Sequence, residues 1–144
     1  MNVLFFLTPK SEVAYLYDDY SLRQALEKME YHRYAAVPIL NRRGNYIGTI
    51  SEGDLLWNIK DKFSMDLREA ENIPLTSLAR RWHNEPVNVN CDIEDLILTS
   101  MNQNFVPVID DNKIFIGIIT RKDIIQYCYN AYKSMESRCQ RDFH

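Results

Sequence analysis

The stretch Val37-Pro38-Ile39-Leu40, followed by Tyr46-Ile47-Gly48-Thr49-Ile50-Ser51-Glu52-Gly53-Asp54-Leu55-Leu56, decides the fold because it occurs twice. Sixty-nine positions later the chain reads Val106-Pro107-Val108-Ile109, then Phe115-Ile116-Gly117-Ile118-Ile119-Thr120-Arg121-Lys122-Asp123-Ile124-Ile125. Residues 37–56 align with their copies without a gap, with six identities, and most other apolar positions stay apolar. Solenoid repeats run to roughly 20–50 residues, so this longer period reads as one duplicated half-domain.

Working outward, each copy has the same grammar. Val37–Leu40 and Tyr46–Ile50 flank the polar turn Asn41-Arg42-Arg43-Gly44-Asn45, and Val106–Ile109 and Ile114–Ile119 flank Asp110-Asp111-Asn112-Lys113. Both read as β-hairpins. A helix precedes each hairpin. Leu22, Ala25, Leu26 and Met29 fall at helical spacing, as do Ile93, Leu96, Ile97 and, less regularly, Met101, with Ser21 and Asp92 placed as N-caps. Short strands come before those helices, in Val13–Tyr17 and Val87–Val89, and a closing helix follows each hairpin, near Glu52–Lys60 and Arg121–Tyr132. The order β-α-β-β-α, twice, predicts an α+β fold. Each half would have one bare apolar sheet face, so the two small mixed sheets should pack together across a pseudo-twofold axis. The halves span 1–60 and 75–133. Between them 61–74 is a charge-rich linker or short irregular helix, and 134–144 is a polar, frayed tail.

With 144 residues, 46% hydrophobic and 26% charged, the composition is that of an ordinary globular protein. Roughly 70% of the unfolded surface can be buried at this size, so no staple is needed. The net charge of -3 argues against a general nucleic-acid or anionic-membrane binder. Cys91, Cys128 and Cys139 are odd in number and lack metal spacing, which predicts reduced thiols and a cytoplasmic protein. Val3-Leu4-Phe5-Phe6-Leu7 is too short to span a membrane and no Lys or Arg precedes it, so it reads as a buried first segment.

In both copies a strand ends in Gly and runs through a hydroxyl residue into a helix that carries Asp three positions later: Ser51 and Asp54, Thr120 and Asp123. As structure this is a capping box, contributing about 1 kcal/mol. As chemistry it is a helix N-terminus suited to a phosphate, beside a carboxylate that can accept hydrogen bonds from two vicinal ribose hydroxyls. The two readings are compatible, because a ligand would replace part of the cap. The duplication at equal spacing favours binding.

These paired motifs resemble a tandem of CBS domains, the Bateman module, over about residues 5–133. The resemblance implies a disc-like tandem whose clefts hold an adenine nucleotide (AMP, ADP, ATP or cyclic di-AMP) or S-adenosylmethionine. It implies regulation without catalysis and no required cofactor. Carried over residue by residue, the ribose-binding Asp matches Asp54 and Asp123, and the hydroxyl residue matches Ser51 and Thr120. The base pocket matches Tyr34, Ala35 and Ala36 in one half and Asn104 and Phe105 in the other, completed by strand residues near Val13–Tyr15 and Glu85–Val87. Arg121 and Lys122 are cations at a helix N-terminus, where they oppose the dipole. They make sense around an anion, so the second motif is expected to anchor the better phosphate site. His32 and Arg33 could reach phosphates from the other side, their plainer reading being a solvated helix end. The run from Asn104 to Lys122 also resembles small stand-alone CBS proteins that bind cyclic di-AMP, and the chain is expected to be one of these.

The nine tyrosines read as core and interface packing, with Tyr34 the first candidate to stack on a base. Trp57 reads as an interface anchor, and Trp82-His83 as structural. Tyr127, Cys128, Ala131, Tyr132 and Met135 form a stripe expected to pack mostly into the core, with any exposed remainder suiting a homodimer. Three functions compete: a nucleotide sensor with an unidentified effector protein downstream, a scaffold or dimerisation module with empty clefts, and an enzyme. No G-x-S-x-G, H-E-x-x-H, P-loop or Cys/His metal pattern supports the last.

Overall fold

A computed structural model describes residues 2–32, 35–60, 67–77 and 84–142. In chain order the elements are β1 (Thr8–Pro9), β2 (Leu16–Tyr17), α1 (Leu22–His32), β3 (Ala36–Leu40), β4 (Tyr46–Ser51), α2 (Glu52–Lys60), α3 (Leu67–Glu71), β5 (Val87–Asn88), α4 (Ile93–Ser100), β6 (Phe105–Ile109), β7 (Phe115–Thr120) and α5 (Arg121–Asp142). Short 3-10 turns cover Val3–Phe6, Lys10–Glu12 and Leu75–Ser77.

The duplicated stretch forms two hairpins with one ladder. β3 and β4 pair antiparallel from Ala36↔Ser51 to Leu40↔Tyr46, with a register shift between Ile39 and Leu40. β6 and β7 pair from Phe105↔Thr120 to Ile109↔Phe115, with the shift between Val108 and Ile109. Each of these residues lies 69 positions from its counterpart. The turns match too. Asn41 Oδ1 accepts from the N–H groups of Arg43 and Asn45, and Asp110 Oδ1 from those of Asn112 and Ile114. β2 joins β3, and β5 joins β6, in parallel.

The two sheets are related as the sequence predicts. Asn45 bridges Ile114, and the rings of Tyr46 and Phe115 stack with centroids 6.3 Å apart and planes 23° from parallel. Both pairs consist of a residue and its own repeat counterpart, and such mates meet only on or beside the pseudo-twofold axis.

Apolar residues at helical and strand periods fill two cores. Leu16, Leu22, Ala25, Met29, Val37, Ile39, Ile50 and Leu55 form the first, which Ala70 and Leu75 complete from the inter-repeat segment. Val87, Leu96, Val106, Val108, Ile119 and Ile124 form the second. Val3 belongs to this second core and is fully buried, with Phe6 and Leu7 partly buried against it, so the first segment docks on the other half, but it is not buried throughout: Leu4 and Phe5 are exposed. There β1 adds an antiparallel strand to β7, giving the order β1-β7-β6-β5.

Three local expectations are corrected. The strand expected over Val13–Tyr17 pairs only at Leu16–Tyr17, because Lys10–Glu12 turns as 3-10 helix. The expected polar tail is helical through Asp142, since α5 continues past Ser134. The stripe on that helix is not core: Tyr127 is half-buried, but Cys128, Ala131, Tyr132 and Met135 are exposed where the helix leaves the body. Within the linker, 67–71 is helical and 61–66 lies outside the described residues, as do Arg33, Tyr34, Trp82 and His83. Among the described residues no helix is long and apolar enough to cross a membrane.

Candidate functional site

The two hairpins leave a pair of clefts between the repeats, built from equivalent residues. One, of about 300 Å³, lies between Val13 and Ala14 on the N-terminal segment, Ala36–Pro38 on β3, and Asn104, Phe105, Ile118 and Thr120. The other, of about 280 Å³, is lined by Ala36, Thr49, Ser51, Asp54, Asn84, residues 102–105 and Arg121. Thr120 in the first corresponds to Ser51 in the second, and Ile118 to Thr49. Ala36, Asn104 and Phe105 wall both. Volumes of this size sit at the small end of ligand pockets, which span roughly 300–1,000 Å³.

The strand-to-helix junctions are set alike. The Glu52 N–H donates to Ala35 O at 2.9 Å, and the Arg121 N–H to Asn104 O at 2.9 Å. Beyond this the copies diverge. In the first, the capping box closes both ways: the Asp54 N–H donates to Ser51 Oγ at 3.1 Å, and the Ser51 N–H to Asp54 Oδ2 at 2.9 Å. Asp54 is 1% exposed, so this carboxylate is buried and engaged with backbone. In the second, the Asp123 N–H donates to Thr120 Oγ1 at 3.2 Å. The half-buried Asp123 carboxylate accepts no hydrogen bond among the described residues.

Of the expected site residues, Thr120, Asn104, Phe105 and Ala36 line the first cleft, and Ser51, Asp54 and Arg121 the second. Asp123 and Lys122 are not among the residues lining either. The Arg121 side chain points to the cleft of the other motif, its Nε–H donating to Ser100 O at 3.1 Å. That carbonyl ends α4, and a cation there complements the helix dipole, so Arg121 has a structural partner independent of any anion. His32 is exposed at the end of α1, its ring edge-on to Tyr31 at 4.9 Å.

The sequence reading passed over the amides that build the second cleft. Gln103, 7% exposed, accepts the Glu85 N–H at 2.7 Å and donates to the carbonyls of Glu85 and Phe105 at 3.2 and 3.1 Å. Its side chain thus acts as an extra peptide unit, stitching residues 84–86 to β6. Asn84 Nδ2 donates to Phe105 O at 3.3 Å, and the Tyr46 hydroxyl donates to Asn84 O at 2.8 Å. The only signal in the sequence was the amide run Asn102-Gln103-Asn104 before Phe105.

Comparison with known proteins accords with this geometry. Residues 7–61 and 83–130 match the CBS domain family. Over 106 residues the chain is 31% identical to the A-adding tRNA nucleotidyltransferase of Aquifex aeolicus, covering 74% of this chain and 12% of that enzyme. The chain spans less than half the length of the curated relatives it matches. Among solved structures it resembles CbpB in complex with c-di-AMP, at TM-score 0.80 and 22% identity over 96% of this chain and 91% of that one. It also resembles CBSX2 in complex with AMP, at TM-score 0.64 and 20% identity over 91% of this chain and 98% of that one. With two superposable hairpins meeting on one axis and each half matching the same family, the chain belongs to the CBS domain family, as a tandem CBS pair.

Proposed function

We propose that this chain is a non-catalytic regulatory module of the cytoplasm that binds an adenine nucleotide, AMP, ADP, ATP or cyclic di-AMP, between its repeats. It works as a homodimer and passes the binding state to an effector protein. The observation that carries the reading is the pair of equivalent clefts on the duplicated strand-to-helix motif. The complexes of CbpB with c-di-AMP and CBSX2 with AMP support the choice of ligand class; S-adenosylmethionine has no counterpart in them. A ligand walled by both repeats favours one arrangement of the halves, which is the differential binding that regulation requires.

The two motifs divide the work. Asp123 has carboxylate oxygens uncommitted to its own cap and follows Thr120, which lines the first cleft, by three residues. It is the ribose partner of that cleft, with Lys122 near the phosphate, while Arg121 serves the second cleft. Asp54 is committed to the Ser51 N–H, so its cleft binds more weakly. Tyr34, His32 and Arg33 complete the candidate set.

Thermal melting with each nucleotide tests this. Ligand at about 100 times its Kd stabilises by about 2.7 kcal/mol, roughly 8 °C for a chain of this length. Asp123→Ala should abolish most of that increment, whereas Asp54→Ala should lower the melting temperature without ligand and keep most of the increment. Equal losses would refute the division of labour, and no shift with any adenine nucleotide would refute binding. The second outcome favours a scaffold or dimerisation module. The closed Ser51–Asp54 capping box speaks for that alternative, since it accounts for both residues without a ligand.

A further inference from the structure

We infer that α5 pairs with α5 of a second copy of this chain, side by side and parallel, through Ile125, Cys128, Tyr132, Met135 and Cys139. The inference rests on the homodimer reading above and gives it a surface. Spacings of three, four, three and four residues make a 3.5-residue period, the spacing of a two-stranded helical seam. The body does not use this face. Ile124 is buried, and Tyr127 is half-buried with its ring edge-on to Phe6 at 5.1 Å. From residue 128 to 140 every side chain is exposed.

The area suits a copy. Ile125, Tyr129, Tyr132 and Met135 are each more than half exposed, as are Leu98 on the adjoining α4 and Met101 just past its end. At roughly 150–250 Å² for a large side chain, these six offer roughly 550–900 Å² per protomer, a range that includes the ~800 Å² per partner of a standard interface. The charges permit self-approach, because Lys133 and Glu136 pair at 3.7 Å beside the stripe and leave Arg138 as the only unpaired charge along 125–139 among the described residues. Twofold pairing needs one patch complementary to itself. In a parallel, in-register seam each layer meets its own copy, so Tyr132 packs on Tyr132 and Cys139 lies against Cys139 of the second chain.

The cysteines, exposed as free thiols at 128 and 139, report on this directly. Full-length chains keeping only Cys139 (Cys91→Ala, Cys128→Ser) or only Cys128 (Cys91→Ala, Cys139→Ser) are oxidised with copper-phenanthroline and run on non-reducing gels. Both should form disulfide-linked dimers, and adding Tyr132→Glu with Met135→Glu should abolish the crosslink. Failure of both to crosslink overturns the seam, and crosslinking that needs both cysteines in one chain overturns its parallel order. By light scattering the Tyr132→Glu/Met135→Glu chain should dimerise at least about 100-fold more weakly, with unchanged melting of the folded body. Undiminished dimerisation refutes the seam alone, whereas a monomeric wild type refutes the homodimer as well.

Discussion

At the scale of single residues, the two repeats are a paired experiment, since equivalent positions carry different side chains on nearly the same backbone. Gly44 and Lys113 are counterparts in the hairpin turns and both have positive φ, 89° and 63°. Glycine adopts this region freely, whereas an L-side chain is strained by about 1–2 kcal/mol. Lys113→Gly should therefore stabilise the protein, by up to about 1 kcal/mol once the greater freedom of glycine in the unfolded chain is counted, as read from the urea midpoint. Gly117 shows the opposite constraint. It has φ 157°, and a Cβ there would stand 2.2 Å from Thr8 O, where β1 crosses β7. Gly117→Ala must push β1 off the sheet and should cost about 1–3 kcal/mol. Gly53→Ala, facing only Ser51 Oγ at 3.6 Å, should be neutral or raise stability by about 0.5–1 kcal/mol, because alanine suits a helix better. If Gly117→Ala left the urea midpoint unchanged, the close approach of β1 would be wrong.

At the scale of elements, the hairpins and helices were legible because their signals are local. Alternation and polar turns gave β3–β4 and β6–β7. The cap residues marked helix starts: Ser21 Oγ accepts the Gln24 N–H at 3.2 Å, and Asp92 accepts the Asp95 N–H at 2.9 Å. The short strands were harder, since two-residue β2 and β5 exist only by leaning on β3 and β6. β1 was hidden for the same reason. Thr8-Pro9 has no strand pattern of its own and is a strand because β7 offers it an edge. Deleting residues 1–9 should consequently destabilise the second half. It removes Val3 from a core where a buried valine is worth about 1.5–3 kcal/mol, and it bares the edge of β7. Hydrogen exchange should show the loss in β6 and β7 before β3 and β4. Faster exchange confined to β3 and β4 would contradict the crossed packing.

At the scale of the whole molecule, the chain ties its halves together by exchanging ends. The first segment seals the second core, and the segment after α2 seals the first. The clefts lie where this exchange brings repeat against repeat, so each is walled by both. Such a ligand site reports on the angle between the halves, and a dimer through α5 would carry that report to a second copy. Unfolding should accordingly be one cooperative transition by calorimetry, its midpoint raised by ligand. Two separate transitions, one per half, would show that the exchanged segments do not couple them.

The sequence by itself determined the duplication, the order of elements, the caps and the residue types of the paired motifs, because these rest on contacts within a few positions along the chain and on a repeat that can be counted. The tertiary structure decided which half each end belongs to, that Asp54 is spent on its own cap while Asp123 is not, that Arg121 serves α4 and the opposite cleft, and that the last helix stands clear of the core beyond Tyr127. Those outcomes depend on which surfaces meet across the twofold axis. Two copies of one motif are alike in local preference and become different only through the neighbours that folding brings to them.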